Sequence, residues 1–199
     1  MIKKTRAEMI TETRAKLLSA AREAFGTVGY VNTSMDDFTA SVGLTRGAIY
    51  HHFGDKKGLL EAVVKEIDIE MDNKLGKVSD EAEGKWEGFV GRCRAYLTMA
   101  LNPEIQRIVF RDAPAVLGNS YYQSSHSQCL TTMAEMLQQL MKDCIIEKTD
   151  CEALARFING GLVDLACWIA NSEDAEAHLS KALHSLSLIL NGLLLEKNA

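Results

Sequence analysis

The sequence predicts an all-α protein of about nine helices. Apolar residues recur at intervals of three and four along most of the 199 positions, the spacing that builds one face of a helix. Only two prolines interrupt the chain, Pro103 and Pro114. Turn pairs such as Asn-Gly set between alternating apolar runs, the mark of β-hairpins, are nearly absent.

Residues 1–10 read as a basic arm, with Lys3, Lys4 and Arg6 able to reach a minor groove or nearby phosphates. A first long helix is expected over residues 11–28, with Leu18, Ala21, Phe25 and Val28 as its buried stripe and Gly29 as its stop. Ser34 followed three residues later by Asp37 has the form of a capping box, so a second helix starts near Met35. Its stripe is Met35, Phe38, Thr39 and Val42, and Gly43 follows where a helix stop favours positive φ. Leu44 packs under the join, and Thr45 caps a third helix over residues 46–52. Two short helices with a tight join read as a helix-turn-helix. They are too short to stand alone, and the first helix braces them. Asp55 then caps a fourth helix over residues 56–75, with Leu60, Val63, Val64, Ile67 and Met71 inward.

The third helix carries the chemistry. At about 100° per residue, Arg46, Gly47, Tyr50 and His51 share one arc, while Ala48 and Ile49 face away from it. A guanidinium on that arc can fork onto guanine O6 and N7. A phenol and an imidazole suit phosphates or base edges, and Gly47 permits close approach of backbone. Thr45 and Lys56 flank the arc with a hydroxyl and an ammonium suited to phosphate. Read singly, Tyr50, His51 and His52 are equally ordinary helix-surface or core residues.

The set Thr33-Ser34, Val42-Gly43-Leu44-Thr45, Gly47, Ile49-Tyr50-His51-His52-Phe53, Lys56 and Leu59-Leu60 resembles the DNA-binding domain of TetR-family transcriptional repressors. The resemblance covers residues 11–64. It implies an all-α homodimer, a short recognition helix in the major groove and a C-terminal ligand domain. Residue by residue, Thr33, Thr45, Tyr50, His52 and Lys56 match positions that touch phosphates, with Ser34 beside them. Arg46, Gly47 and His51 match positions that face bases. Phe38-Thr39 departs from the family's usual Ile-Ala, on the buried side of the second helix. The domains expected are a helix-turn-helix head over residues 1–57, joined by the fourth helix to a ligand-binding and dimerisation body over residues 58–199.

In the body, residues 76–84 read as a polar, acidic boundary. Helices are then expected from residue 85, over 103–112, over 121–146, from a Thr149–Glu152 capping box through residue 170, and from Ser172 to residue 195. Asn102-Pro103 and Ala113-Pro114 serve as breaks. The last two helices are apolar beyond one face and need covers on two sides. One cover is the core of the chain; the other is a twin subunit, against Phe157, Gly161, Leu165, Leu183, Leu186, Leu190 and Leu193. A fully buried helix within one chain is the alternative. The middle helices are the candidate ligand chamber, with Trp86, Phe89, Tyr96, Phe110, Arg111, Tyr121, His126, Met133 and Trp168 as candidate contacts. Stripes of aromatic and Met residues are also what a plain core looks like.

The net charge of −5 divides unevenly. Residues 1–57 hold nine basic and six acidic residues (+3), and the remainder thirteen and twenty-one (−8). A basic front on an acidic body fits a protein that presents one end to nucleic acid. The five cysteines form no CxxC pair and no metal-ligand spacing; Cys144 and Cys151 are the pair to consider for redox sensing. No cofactor is expected, and no serine-hydrolase, zinc-protease, Walker or dinucleotide fingerprint supports an enzyme. The N-terminus has no apolar signal segment, and no run is read as long enough to span a membrane, so the expectation is cytoplasmic. The expected partners are double-stranded operator DNA, a small-molecule effector and a second copy of the chain, with no membrane. The leading reading is a ligand-released repressor on a near-palindromic operator. A helical dimer that binds proteins, or a small enzyme, is the alternative.

Overall fold

A computed structural model describes residues 5–195, and of 119–127 the backbone alone. Ten α-helices follow one another: α1 (Arg6–Val28), α2 (Met35–Ser41), α3 (Arg46–Phe53), α4 (Lys56–Asp80), α5 (Lys85–Met99), α6 (Pro103–Arg107), α7 (Ala113–Leu117), α8 (Asn119–Lys142), α9 (Cys151–Ala170) and α10 (Ala175–Asn191). A π-helical turn, Ile108–Asp112, joins α6 to α7 without a break, so the described residues make nine helical rods. The only β-type pairing among them is one antiparallel bridge between Ile146 and Leu194.

Several element ends differ from the sequence reading, each for a local reason. α1 begins at Arg6 because Thr5 and Glu8 form a capping box: Thr5 Oγ1 accepts from the Glu8 amide at 3.3 Å, and the Glu8 carboxylate accepts from the Thr5 amide at 2.7 Å. Arg6 therefore belongs to a helix rather than an arm, and Lys3 and Lys4 lie outside the described residues. α4 runs through Gly76 to Asp80, which shortens the expected boundary. The reason is α5, which packs along it so closely that a Cβ at Gly88 would meet the Ser79 carbonyl at 2.9 Å. Pro114 does not end a helix. It lacks the N–H and would clash with the carbonyl four residues back; the preceding π turn widens the helix to take it in. Asp150, not Thr149, caps α9, accepting from the Ala153 amide at 2.7 Å. Asp174 caps α10, accepting from the Ala177 amide. α10 stops at Asn191, and the chain then turns back so that Leu195 donates to the Ile145 carbonyl at 3.1 Å.

α4 is the spine. Leu59, Leu60, Val63 and Val64 are fully buried against α1 and α3, and further along α4 lies against α5 and α8. Each such side chain contributes about 1.5–3 kcal/mol of burial. α5 sits among α4, α8, α9 and α10, with Phe89 and Leu97 fully buried. α9 corrects the reading that no run suits a membrane: at 20 residues it is long and apolar enough by length and composition. It nevertheless packs on α5, α8 and α10 and carries Arg156, Asn159 and Asp164.

Candidate nucleic-acid interface

The head presents a surface built from the first turn of α2, the join and one side of α3. Ser34 Oγ accepts from the Asp37 amide at 3.3 Å and fixes the start of α2. Phe38 and Thr39 are buried behind it, and the Thr39 hydroxyl donates to the Met35 carbonyl at 2.9 Å. That bond lets Thr stand on an apolar face without an unpaired hydroxyl. Gly43 adopts φ +67°, a region open to glycine at little cost, and the Leu44 amide returns to the Thr39 carbonyl at 3.0 Å. The join therefore sets the start of α3 beside the start of α2.

α3 is anchored by Ile49, 2% exposed, with Ala48 half-buried. Arg46, Gly47, Tyr50 and His51 are exposed, Tyr50 at 63%. Thr45 makes no side-chain cap bond and is also exposed. His52 is half-buried between the edges of His51 and Phe53, at ring distances of 5.1 and 6.1 Å. Burial, then His51 and Arg14, hold its imidazole below the ordinary value. The Arg14 guanidinium lies 5.1 Å over the Phe53 ring and ties α1 to the end of α3.

Two expected phosphate contacts need correction. Thr33 is 6% exposed, and its hydroxyl donates to the Gly29 carbonyl at 2.8 Å. Lys56 turns inward as well: its ammonium donates to the Thr33 carbonyl at 2.8 Å and lies 4.4 Å over the Tyr30 ring. Burial pushes its pKa down, against the pull of Asp112. Both residues hold the loop between α1 and α2. Lys57 is the exposed cation at the start of α4. Sequence reasoning missed the partner of Arg46: its Nε forms an ion pair with Asp36 Oδ1 at 2.8 Å, across the join. The two are ten positions apart on different helices, and no helical spacing signals such a pair.

Among the described residues, side chains of Arg22, Arg107 and Asp112 bond the head to the body. Arg22 on α1 forks onto Glu70 of α4, at 2.6 and 2.9 Å, and onto Glu104 of α6, at 2.8 and 2.9 Å. Arg107 donates to the Thr27 carbonyl at 2.7 Å, and Asp112 accepts from the Tyr30 amide at 2.8 Å. The π turn and its flanks thus hold the C-terminal end of α1.

In the body, Phe89, Phe110 and Met133 are buried, and Trp86 and Tyr96 half-buried. Tyr96 meets Phe110 edge-on at 5.9 Å, and Trp86 lies 6.1 Å from Phe89. The side chains of Tyr121 and His126 lie outside the described residues. Arg111 and Trp168 need correction as chamber residues. Arg111 donates to the Ala170 carbonyl at 2.8 Å, which satisfies the end of α9. Trp168 is 43% exposed, edge-on to His178 at 4.1 Å, because Ala166 and Ile169 take the inward positions of that turn. The residue missed is Arg92, 4% exposed on α5. It is paired with Asp72, and its buried Nε lacks a hydrogen-bond partner. Beside it Cys129 donates to Asn159 Oδ1 at 3.8 Å. Burial pushes the Cys93 thiol up to about 12, far from the thiolate that redox chemistry needs. Among the described residues, no three His, Cys, Asp or Glu side chains converge as a metal site.

The outer face of α9 and α10 is apolar and open. Phe157 is 71% exposed, Leu188 63% and Ile189 54%, and Gly160 and Gly161 are bare. Leu165, Leu183 and Leu193 are half-buried at its margin. Leu186 and Leu190, expected on this face, are a correction: at 6% and 1% exposed they fill the chain's own core. The helical rotation that turns them inward brings Leu188 and Ile189 outward.

Comparison with known proteins agrees with this architecture. Residues 17–63 match the family model described as bacterial regulatory proteins, tetR family, and residues 86–193 match the tetracyclin repressor-like C-terminal domain. A crystal structure of a TetR-family transcriptional regulator from Pectobacterium atrosepticum is 53% identical, with a TM-score of 0.89, covering 97% of this chain and 99% of that one. The transposon Tn10 TetC protein of Escherichia coli is 24% identical over 84% of this chain and 85% of its own length. The transcriptional regulator AcrR of Shigella flexneri is 26% identical over 74% of this chain and 71% of its own. Since a family model matches each half, and the exposed arc of α3 lies within the first, the chain belongs to the TetR family of transcriptional regulators.

Proposed function

We propose that the chain is a ligand-responsive repressor that binds a near-palindromic operator as a homodimer and is released by a small molecule. The observation that carries this reading is the arc of α3: Arg46, Gly47, Tyr50 and His51 stand in solvent while Ile49 pins the helix from behind. Arg46 reads a guanine; Ser34, Thr45 and Tyr50 hold phosphates, and Lys57 adds charge to the same side. The open face around Phe157, Leu188 and Ile189 pairs two copies, since a contiguous apolar patch of this kind marks an interaction surface. Two heads then meet successive major grooves, about 34 Å apart. An effector held by the body acts only through its differential affinity for two arrangements of the heads. The bonds of Arg22, Arg107 and Asp112 are the route by which the body reaches α1. Such a role belongs in the cytoplasm.

The test is selection of duplexes from a random pool by the purified full chain, repeated with a panel of metabolites and drugs. The expected result is enrichment of a two-fold symmetric site, and loss of that binding with one class of compound. A monomer that enriches no sequence at low salt would rule the reading out.

A further inference from the structure

An exposed acid stands within the proposed DNA surface. Asp36 lies in the first turn of α2, its side chain 71% exposed, and Oδ1 stands 2.8 Å from Arg46 Nε as an ion pair. A carboxylate there repels phosphates. An open pair of this kind adds little to stability. Nor does α2 depend on it for a start, since Ser34 makes the cap bond and Asp37 supplies a second acid in the first turn.

We propose that Asp36 is a positioning residue for base reading, which draws the Nε edge of the Arg46 guanidinium to itself by charge so that both terminal nitrogens stay free to fork onto guanine. A guanidinium has one N–H on Nε and two on each terminal nitrogen, and guanine offers O6 and N7 side by side in the major groove. With the Asp36 carboxylate seated against the Nε edge, a base edge is kept from the side-on approach and the end-on fork of the two Nη groups remains. The pair also favours one placement of a long side chain before binding, so somewhat less rotamer freedom is lost at the interface. Gly43 makes this possible by setting the two first turns together, and Gly47, next to Arg46, leaves room for a base edge. When duplex excludes water from the surface, the pair strengthens. Every duplex meets the repulsion of Asp36, and only one with guanine in register recovers it through Arg46. Asp36 thereby raises discrimination as well as orienting its partner. This rests on the reading of Arg46 as a base contact.

The experiment uses the full chain, a duplex recovered by selection, the same duplex changed at single guanines, and a random-sequence duplex. Arg46→Ala first identifies the guanine whose replacement ceases to matter. Asp36→Ala is then expected to bind the random duplex more tightly. It should also discriminate at that guanine about 3- to 10-fold less, a part of the roughly 5- to 150-fold that a bidentate pair supplies. In the Arg46→Ala background, Asp36→Ala should tighten binding to all duplexes alike and leave the ratio unchanged. A ratio that Asp36→Ala leaves intact, or lowers equally without Arg46, overturns the positioning role while base reading stands. If Arg46→Ala leaves discrimination at every guanine intact, base reading by Arg46 falls, and this proposal with it.

Discussion

Lys56 shows how a single side chain changes meaning once its surroundings are known. In the sequence it is a cation flanking a recognition helix; in the fold its ammonium satisfies the Thr33 carbonyl and covers the Tyr30 ring. Lys56→Ala should therefore cost about 1–3 kcal/mol, the penalty for leaving a buried carbonyl unpaired, read as a lower midpoint in denaturant unfolding. Lys57→Ala should leave that midpoint alone and weaken binding to all duplexes, reducing the slope of log K against log salt by about 0.9. If the two variants exchange these effects, the inward assignment of Lys56 fails. His52 gives a pH test. Its folded pKa is depressed below the ordinary 6.5, chiefly by burial. Its contribution is thus intact above 6.5 and is lost as pH falls through the folded value. His52→Gln should shrink the loss of stability between pH 7 and pH 5; an unchanged pH dependence would contradict the burial argument.

At the scale of elements, α4 and α5 show where glycine helps and where it does not. Gly76 lies inside α4 with nothing within 4 Å of where a Cβ would stand, so Gly76→Ala should stabilise the chain by about 0.5–1 kcal/mol. Gly88 faces the Ser79 carbonyl, which backbone cannot easily yield, so Gly88→Ala should destabilise by about 1–3 kcal/mol. Thermal unfolding of both variants checks the contrast. Similar shifts of one sign would mean that α4 and α5 do not approach so closely. The sequence puts Gly76 in a polar boundary and Gly88 in the helix that follows, and it names a neighbour for neither. Their difference arises only when a neighbouring helix arrives. The same holds for Pro114, which the sequence marks as a break and a π turn absorbs.

For the whole molecule, the open face of α9 and α10 separates two kinds of leucine. Leu188→Asp should leave folding intact and convert a proposed dimer to monomer in sedimentation, with DNA binding lost at concentrations where the native chain binds. Leu186→Ala should instead cost about 2–5 kcal/mol of stability and leave association unchanged in the fraction that folds, since it empties the core of one chain. Monomer formation by the Leu186 variant alone would place the seam elsewhere.

Periodicity by itself determined the all-α class, the order of the helices and the exposed arc of α3, because these depend on residues within four positions of one another. The joint of head and body was decided by tertiary structure, which brought Arg22 to Glu104 and Asp112 to Tyr30 across more than eighty positions. The pairing of Asp36 with Arg46, the inward turn of Lys56 and the side on which each apolar residue of α10 ends were decided the same way. The physical reason is common to all of them. A side chain's partner is fixed by which helices pack together, and packing is a sum over distant contacts that no local spacing records.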